Sequence, residues 1–263
     1  MTEMKPVVLY AVEDGIGYVT MNRAERRNSM DDELLTRLAE ALRVAQMDPA
    51  SQVVVLRGAG PVFCAGGDVH DMARHRPEVE YRATRLAVER ALARAVRELG
   101  KPLIAQIQGA AIGGGCVLAA LCDLRIAAEG TVFMLPEVAF GSVASMGGIY
   151  MLSRIVGLGR AFELLYLVEK FDARRALEMG LVNRVVPAES LDRETSAMAR
   201  AIGENFSREL KLTRDVILRG LEVDFHTAVE VETEAAMHAH LGGDVEAGFE
   251  RARRRMRGKA DKR

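Results

Sequence analysis

Leu103-Ile-Ala-Gln-Ile107-Gln-Gly109-Ala-Ala-Ile-Gly113-Gly114-Gly115-Cys116 holds a strand, a turn and the start of a helix in close succession. Leu103 to Ile107 is apolar and reads as a buried strand, and Cys116 to Leu121 reads as a buried helix. The glycines between them form the turn. The same order recurs after Gln52 to Leu56, where Gly58, Gly60, Gly66 and Gly67 follow. Alternating strands and helices argue for an α/β fold. Glycine number says little, since the chain has 24 against roughly 18 at an average usage of about 7%. Placement says more, because eight of the 24 lie in these two windows. Leu103 to Cys122 is also twenty residues without a charge, the length of a membrane span. Gln106, Gln108 and four glycines interrupt it, so a strand and a buried helix are the better reading.

Toward the N-terminus, Val7 to Ala11 and Ile16 to Met21 read as strands joined at Glu13-Asp14-Gly15, a hairpin signature. Ser29, with Asp32 three residues on, reads as a capping-box-like start. The helix it opens carries Leu34, Leu35, Leu38, Ala41, Leu42 and Ala45 on one face, and Asp48-Pro49 ends it. A charged helix is expected over Glu78 to Leu99, with Leu86, Val88, Leu92 and Val96 as its apolar stripe. Toward the C-terminus, Asp123 to Ala127 reads as a strand and Met134 to Gly148 as a loop. Ile149 to Ile155 and Arg160 to Leu167 read as helices. Asp172 to Gly180 is a helix with a glycine C-cap, leading into a strand over Leu181 to Val186. From Ser190 the pattern is helical, broken at Gly242-Gly243.

At 263 residues the chain can bury about three-quarters of its unfolded surface without a disulfide or metal. Lys and Arg number 36 against 37 Asp and Glu, a net charge of -1. That excludes global electrostatic capture of nucleic acid or an anionic membrane. Cys64, Cys116 and Cys122 are odd in number and sit in apolar stretches, which fits buried thiols in a reducing cytoplasm. Met1-Thr-Glu-Met-Lys-Pro lacks the basic-then-apolar order of a signal peptide, so a cytoplasmic location is expected.

The glycine windows do not suit a nucleotide phosphate. Gly58-Ala-Gly60-Pro-Val-Phe63 has Phe where a dinucleotide fingerprint needs its third glycine, and no Gly-Lys-Ser/Thr follows either window. They suit a backbone amide aimed at a developing negative charge. Without a Cβ the main chain approaches a substrate oxygen closely, and a following helix leaves its first N–H groups unpaired. Two such amides on one oxygen form an oxyanion hole, each worth about 2.7–4 kcal/mol. From spacing alone, simple connecting turns are the stronger reading.

Longer motifs narrow the choice. Asn22-Arg23-Ala-Glu-Arg26-Arg27-Asn28-Ser29-Met30, Phe63-Cys-Ala-Gly66-Gly67-Asp68-Val69, Gly109-Ala-Ala-Ile-Gly113-Gly114-Gly115-Cys116 and Cys122-Asp123-Leu-Arg-Ile-Ala resemble the enoyl-CoA hydratase/isomerase (crotonase) family. Phe133-Met-Leu-Pro136-Glu137-Val138, Ile155-Val-Gly157 and Ala176-Leu-Glu-Met-Gly180-Leu-Val-Asn183 extend the likeness in order. The resemblance implies an α/β fold, a crotonase-like spiral of ββα units with a C-terminal helical trimerisation region. The spiral core with its acyl-CoA site is expected over 1–200, and the oligomerisation region with its basic tail over 201–263. It further implies a homotrimer or dimer of trimers and an acyl-CoA thioester substrate. Coenzyme A enters as part of that substrate, and no tightly bound cofactor is expected. By motif position the backbone amides of Gly67 and Gly114 hold the thioester oxygen as an enolate. Arg26, Arg27 and Ser29 border the CoA nucleotide, while Ala65, Asp68 and Val69 line the pantetheine path. Without the resemblance, Arg26 and Arg27 read as solvated surface.

Two departures matter. The family's hydratases use two glutamates on a water, one directly after Gly-Gly-Gly-Cys and one in Pro-Glu. The first position is Val117 here; the second is Glu137. Moving a double bond needs only one base to carry a proton between carbons, so isomerisation of an enoyl-CoA is the expected reaction. Hydration of a 2-enoyl-CoA is the alternative, weakened by Val117. The hydratases also carry Pro-Gly-Ala-Gly-Gly where this chain has Ala144-Ser145-Met146-Gly147-Gly148. Ser145 is therefore a second candidate, which would allow hydrolysis, decarboxylation or cyclisation of an acyl-CoA. Met146 would narrow the pocket, and Tyr150 reads as a buried structural tyrosine.

His70 and His75 fall in a charged segment. His238 and His240 lie in C-terminal helices with no carboxylate or cysteine at ligand spacing, so no metal is expected. The tail carries Arg251, Arg253, Arg254, Arg255, Arg257, Lys259, Lys262 and Arg263 against Asp261 alone. It reads as a solvated tail, a contact for a CoA phosphate, or an RNA-binding patch as in an RNA-binding relative. The last lacks interleaved aromatics after Phe249.

Overall fold

The computed structural model describes residues 5–68 and 79–260. Val69, His70 and His75 lie outside the described residues. The chain divides into two compact units, Met1–Gly203 and Glu204–Arg263.

The first unit opens with a hairpin, β1 (Val8–Glu13) against β2 (Ile16–Met21), with Glu13 opposite Ile16. Asp14 and Gly15 both have positive φ, the conformation of the tight turn that matches strand twist. β3 (Val53–Gly58), β4 (Leu103–Ile107), β6 (Leu124–Ala128) and β9 (Arg184–Val186) then add in parallel, giving the order β1-β2-β3-β4-β6-β9. β2, β3 and β4 are buried on both faces and read as nearly unbroken apolar runs, whereas the edge strand β1 alternates half-buried and exposed residues. Val54 and Leu56 face α1 (Asp32–Met47) and α2 (Val79–Arg97) in the larger core. Val53 and Val55 face the other way, packing with Leu191 and Ala199 of the helix Leu191–Gly203.

A second sheet was not legible in the sequence. β5 (Ala110–Ile112), β7 (Val132–Met134) and β8 (Phe171–Asp172) form a three-stranded layer. Its strands are two or three residues long, too short for alternation to register. β7 thus begins just before the segment expected to be a loop. α3 (Gly114–Leu121) follows β5, α4 (Gly148–Val156) and α5 (Leu158–Leu167) follow the turn Glu137–Phe140, and α6 is Ala173–Glu178.

Several expectations need correction. Ser29 does not cap α1. Met30 is bridged to Gly67, so the helix cannot start before it, and Asp31 accepts from Leu34 N–H at 2.9 Å as the N-cap. Leu86 lies outside the buried stripe of α2, which takes Arg85 instead, with Leu92, Ala95 and Val96. α3 begins at Gly114, two residues early. The strand expected from Leu181 is confined to Arg184–Val186, because Leu181 and Val182 N–H groups both turn back to the Ala176 carbonyl. Tyr150 is half-buried, its ring beneath the Arg154 guanidinium at 3.5 Å. No helix among the described residues is long and apolar enough to cross a membrane.

The second unit contains α8 (Ser207–Gly220), α9 (Phe225–Leu241) and α10 (Asp244–Ala260), the helix Leu191–Gly203 being α7. Asp224 caps α9 through the N–H groups of His226 and Thr227. Of the described residues in this unit only Arg214 and Val231 are buried.

Candidate active site

The two glycine windows meet. Cys64 pairs with Ala111: the Cys64 N–H donates to Ala110 and the Ile112 N–H to Cys64. On the opposite edge Met30 N–H donates to the Gly66 carbonyl and Asp68 N–H to the Met30 carbonyl. Gly66 and Asp68 therefore spend their groups on Met30, and in a parallel bridge the N–H of the intervening Gly67 points the other way. That side holds the start of α3. A Cβ at Gly66 would stand 3.5 Å from Gly114 N, and one at Gly114 would stand 3.9 Å from Gly67 N. Gly114 is the first residue of α3, so its N–H has no partner within the helix.

Gly66 is obligatory at this junction. Its φ is +89°, and a Cβ would lie 2.5 Å from the Ile112 carbonyl oxygen. Asn28 fixes the loop before it from a fully buried position. Its side-chain N–H groups donate to the carbonyls of Ala59, Val62 and Phe63, and its Oδ1 accepts from Arg23 N–H. At the other end of α3 the buried Arg125 donates to the carbonyls of Cys122, Ala119 and Leu181. A cation there complements the helix dipole whose positive end lies at Gly114.

Glu137 stands over the same helix start. Its Oε1 would be 3.0 Å from a Cβ on Gly113, and its Oε2 is buried without a hydrogen-bond partner. Desolvation pushes this carboxyl above its ordinary range. A buried carboxylate with a free oxygen costs stability, and such costs concentrate where a proton must move. Pro136 precedes it, and the turn closes by Ser142 N–H donating to the Glu137 carbonyl.

Val117 brings no second carboxylate. It is buried, and a Cβ on Gly148 would be 2.5 Å from its Cγ2. Cys116, Val117, Ala144, Gly148 and Leu152 pack around an apolar crevice with no room for a water molecule. Met146, with φ 54°, places its Cε 3.8 Å from a Cβ on Gly114, while Met30 Sδ is 3.3 Å from that point. The Ser145 hydroxyl donates to Glu89 Oε2 at 2.6 Å.

The remaining candidates form a second group. Arg26 lies 3.8 Å from Asp68 Oδ2, and Ser29 Oγ donates to the same oxygen at 3.3 Å. The Ala65 N–H donates to the Arg27 carbonyl, and Arg27 itself is exposed. Cys64 and Cys116 are buried thiols whose pKa burial pushes up to about 12, so neither is a nucleophile at neutral pH. In the tail, Arg251 stacks over the Phe206 ring and donates to the Glu204 carbonyl, an anchorage within its own unit.

Arg85 and Glu89 went unnoticed in the sequence. Both are nearly buried, at 10% and 13% side-chain exposure, and are ion-paired at 2.8 Å. The signal was present: 85, 89, 92 and 96 share one helical face.

A family model for enoyl-CoA hydratase/isomerase matches residues 11–255. The chain is 34% identical to a short-chain-enoyl-CoA hydratase of Clostridium acetobutylicum, the match covering 87% of each protein. It is 32% identical to a crotonyl-CoA hydratase of Syntrophomonas wolfei subsp. wolfei, again over 87% of each. The crystal structure of an enoyl-CoA hydratase from Bacillus anthracis superposes with a TM-score of 0.90 at 31% identity, covering 95% of this chain and 96% of that one. With the glycine loops, the helix start and the Pro-Glu turn arranged as described, the chain belongs to the enoyl-CoA hydratase/isomerase family.

Proposed function

We propose that the protein moves the double bond of an enoyl-CoA thioester through an enolate. The amides of Gly67 and Gly114 hold the thioester oxygen while Glu137 carries the proton. Glu137 takes a proton from C2 of a 3-enoyl thioester, the electron pair moves to the oxygen, and the same carboxyl returns a proton to C4. The C2–H bond breaks, the C4–H bond forms, and the double bond comes to lie between C2 and C3. One observation carries the reading: a half-buried carboxyl with one buried, unpartnered oxygen stands beside Gly113, the residue before Gly114, while position 117 is valine. Two donors of this kind supply about 5–8 kcal/mol to the charged state, and one base adds about 10²–10⁴ in rate. Arg26, Arg27 and Ser29 are proposed to border the nucleotide of CoA, and Ala65, Asp68 and Val69 its pantetheine arm.

Hydration of a 2-enoyl-CoA is the second reading, favoured by the names of the two hydratase relatives above. Incubating the purified chain with 2-enoyl-, 3-enoyl- and 3-oxoacyl-CoA thioesters and identifying the products separates these chemistries. Conversion of the 3-enoyl to the 2-enoyl thioester, lost in Glu137→Gln, is the expected result. A protein that leaves 3-enoyl-CoA untouched is not an isomerase.

A further inference from the structure

Ser145, Glu89, Arg85 and Asp32 form a chain of polar contacts from the Ala144–Gly148 turn to the start of α1. Ser145 Oγ donates to Glu89 Oε2 at 2.6 Å, and Glu89 Oε1 accepts from Arg85 Nε at 2.8 Å. Arg85 then reaches Asp32 Oδ1 at 3.2 Å. Asp32 lies two residues beyond Met30, the residue bridged to Gly67. An exposed i,i+4 pair stabilises a helix by a few tenths of a kcal/mol. Burying the same pair costs far more in desolvation, so helix stability alone does not account for these charges on the packed face of α2. The neighbours of Ser145 both belong to the site. Ala144 packs with Val117 around the apolar crevice, and Met146 reaches toward Gly114.

Resting on the enolate reading above, we propose that Ser145 and Glu89 are a second proton-transfer pair of this site. The pair is supplied from the Ala144–Gly148 turn and α2 in place of the carboxylate absent at Val117. It extends the chemistry to adding water across a 2-enoyl thioester. The water oxygen bonds to C3 while one water proton passes to Ser145 Oγ, whose own proton passes to Glu89. Protonated Glu137 donates its proton to C2 as the enolate collapses. The C3–O and C2–H bonds and an O–H bond on Glu89 form, the C2–C3 π bond, one O–H bond of water and the O–H bond of Glu137 break, and solvent returns the proton from Glu89 to Glu137 between turnovers. Ser145 is the group that meets water; Glu89 acts through it and is a positioning and relay residue, held by Arg85.

The test follows hydration of but-2-enoyl-CoA and isomerisation of hex-3-enoyl-CoA side by side in the full-length protein. Wild type is expected to catalyse both. Glu89→Gln and Ser145→Ala should each lower kcat for hydration about 10²-fold with KM little changed, and lower isomerisation far less. Ser145→Thr, which keeps the hydroxyl, should recover most of the loss. Ser145→Ala leaves the Arg85–Glu89 pair in place, so it separates lost chemistry from an unpaired buried arginine. A wild type that isomerises without hydrating, variants that depress both reactions in the same proportion, or a threonine variant as impaired as alanine would each overturn the pair while leaving the role of Glu137 standing. If Glu137→Gln slows neither reaction, the enolate reading falls, and this proposal with it.

Discussion

At the scale of single residues, the proposed site sets a half-buried acid against two amides. Burial holds the Glu137 carboxyl above the ordinary glutamate range. Between that range and its raised value, the folded protein keeps a proton that the unfolded chain has released. Stability therefore falls as pH rises through the window, and above it the full penalty of a buried charge remains. Glutamine carries no such penalty. Glu137→Gln should therefore melt higher than wild type at about pH 7 and lose that advantage near pH 4, below the unfolded glutamate value. Thermal melts at the two pH values check this; an equal offset at both would mean that ionisation is not the cause. The same residue would then be costly for stability and necessary for turnover, as expected of a group poised to move a proton.

At the scale of elements, α3 is a short apolar helix fixed at both ends. Its N-terminus is positioned by the Cys64–Ala111 bridge and Gly66, and its C-terminus by Arg125. Arg125→Met keeps most of the volume but leaves the Cys122, Ala119 and Leu181 carbonyls without their donor. The expected cost is about 2–4 kcal/mol, read by denaturant unfolding; a change within about 0.5 kcal/mol would show that water replaces the guanidinium. Elements differ in how openly the sequence declares them. β1, β2 and β4 were legible because long apolar runs end in turn residues. The start of α1 was misplaced because Ser29 and Asp31 are equally good caps, and only the distant Gly67 decides between them. The β5-β7-β8 layer was invisible because strands of two or three residues have no period. For the proposed site, Gly67, Gly114 and Glu137 are singled out by family motifs alone. Arg85 and Glu89 were not, since charges on an apolar stripe are explained only by the partner that folding brings to them.

At the scale of the whole molecule, the second unit leaves Ile217, Phe225, Met237, Leu241 and Phe249 exposed, more apolar surface than three isolated helices comfortably show. The first unit likewise exposes Phe140, Leu158, Phe162 and Tyr166. We propose that these faces are covered by assembly into the homotrimer or dimer of trimers that the family resemblance implies. Sedimentation equilibrium should give a mass three or six times that of the chain; a monomer at micromolar concentration would leave these faces unexplained. Enolate formation reads out as hydrogen exchange at C2. In deuterium oxide, wild type should exchange the C2 protons of butanoyl-CoA, a thioester with no double bond to move. Glu137→Gln should slow that exchange by at least about 10²-fold, and Gly114→Val, whose side chain occupies the place of the oxygen, should abolish it with little loss of fold. Exchange at the wild-type rate in both variants would contradict the account.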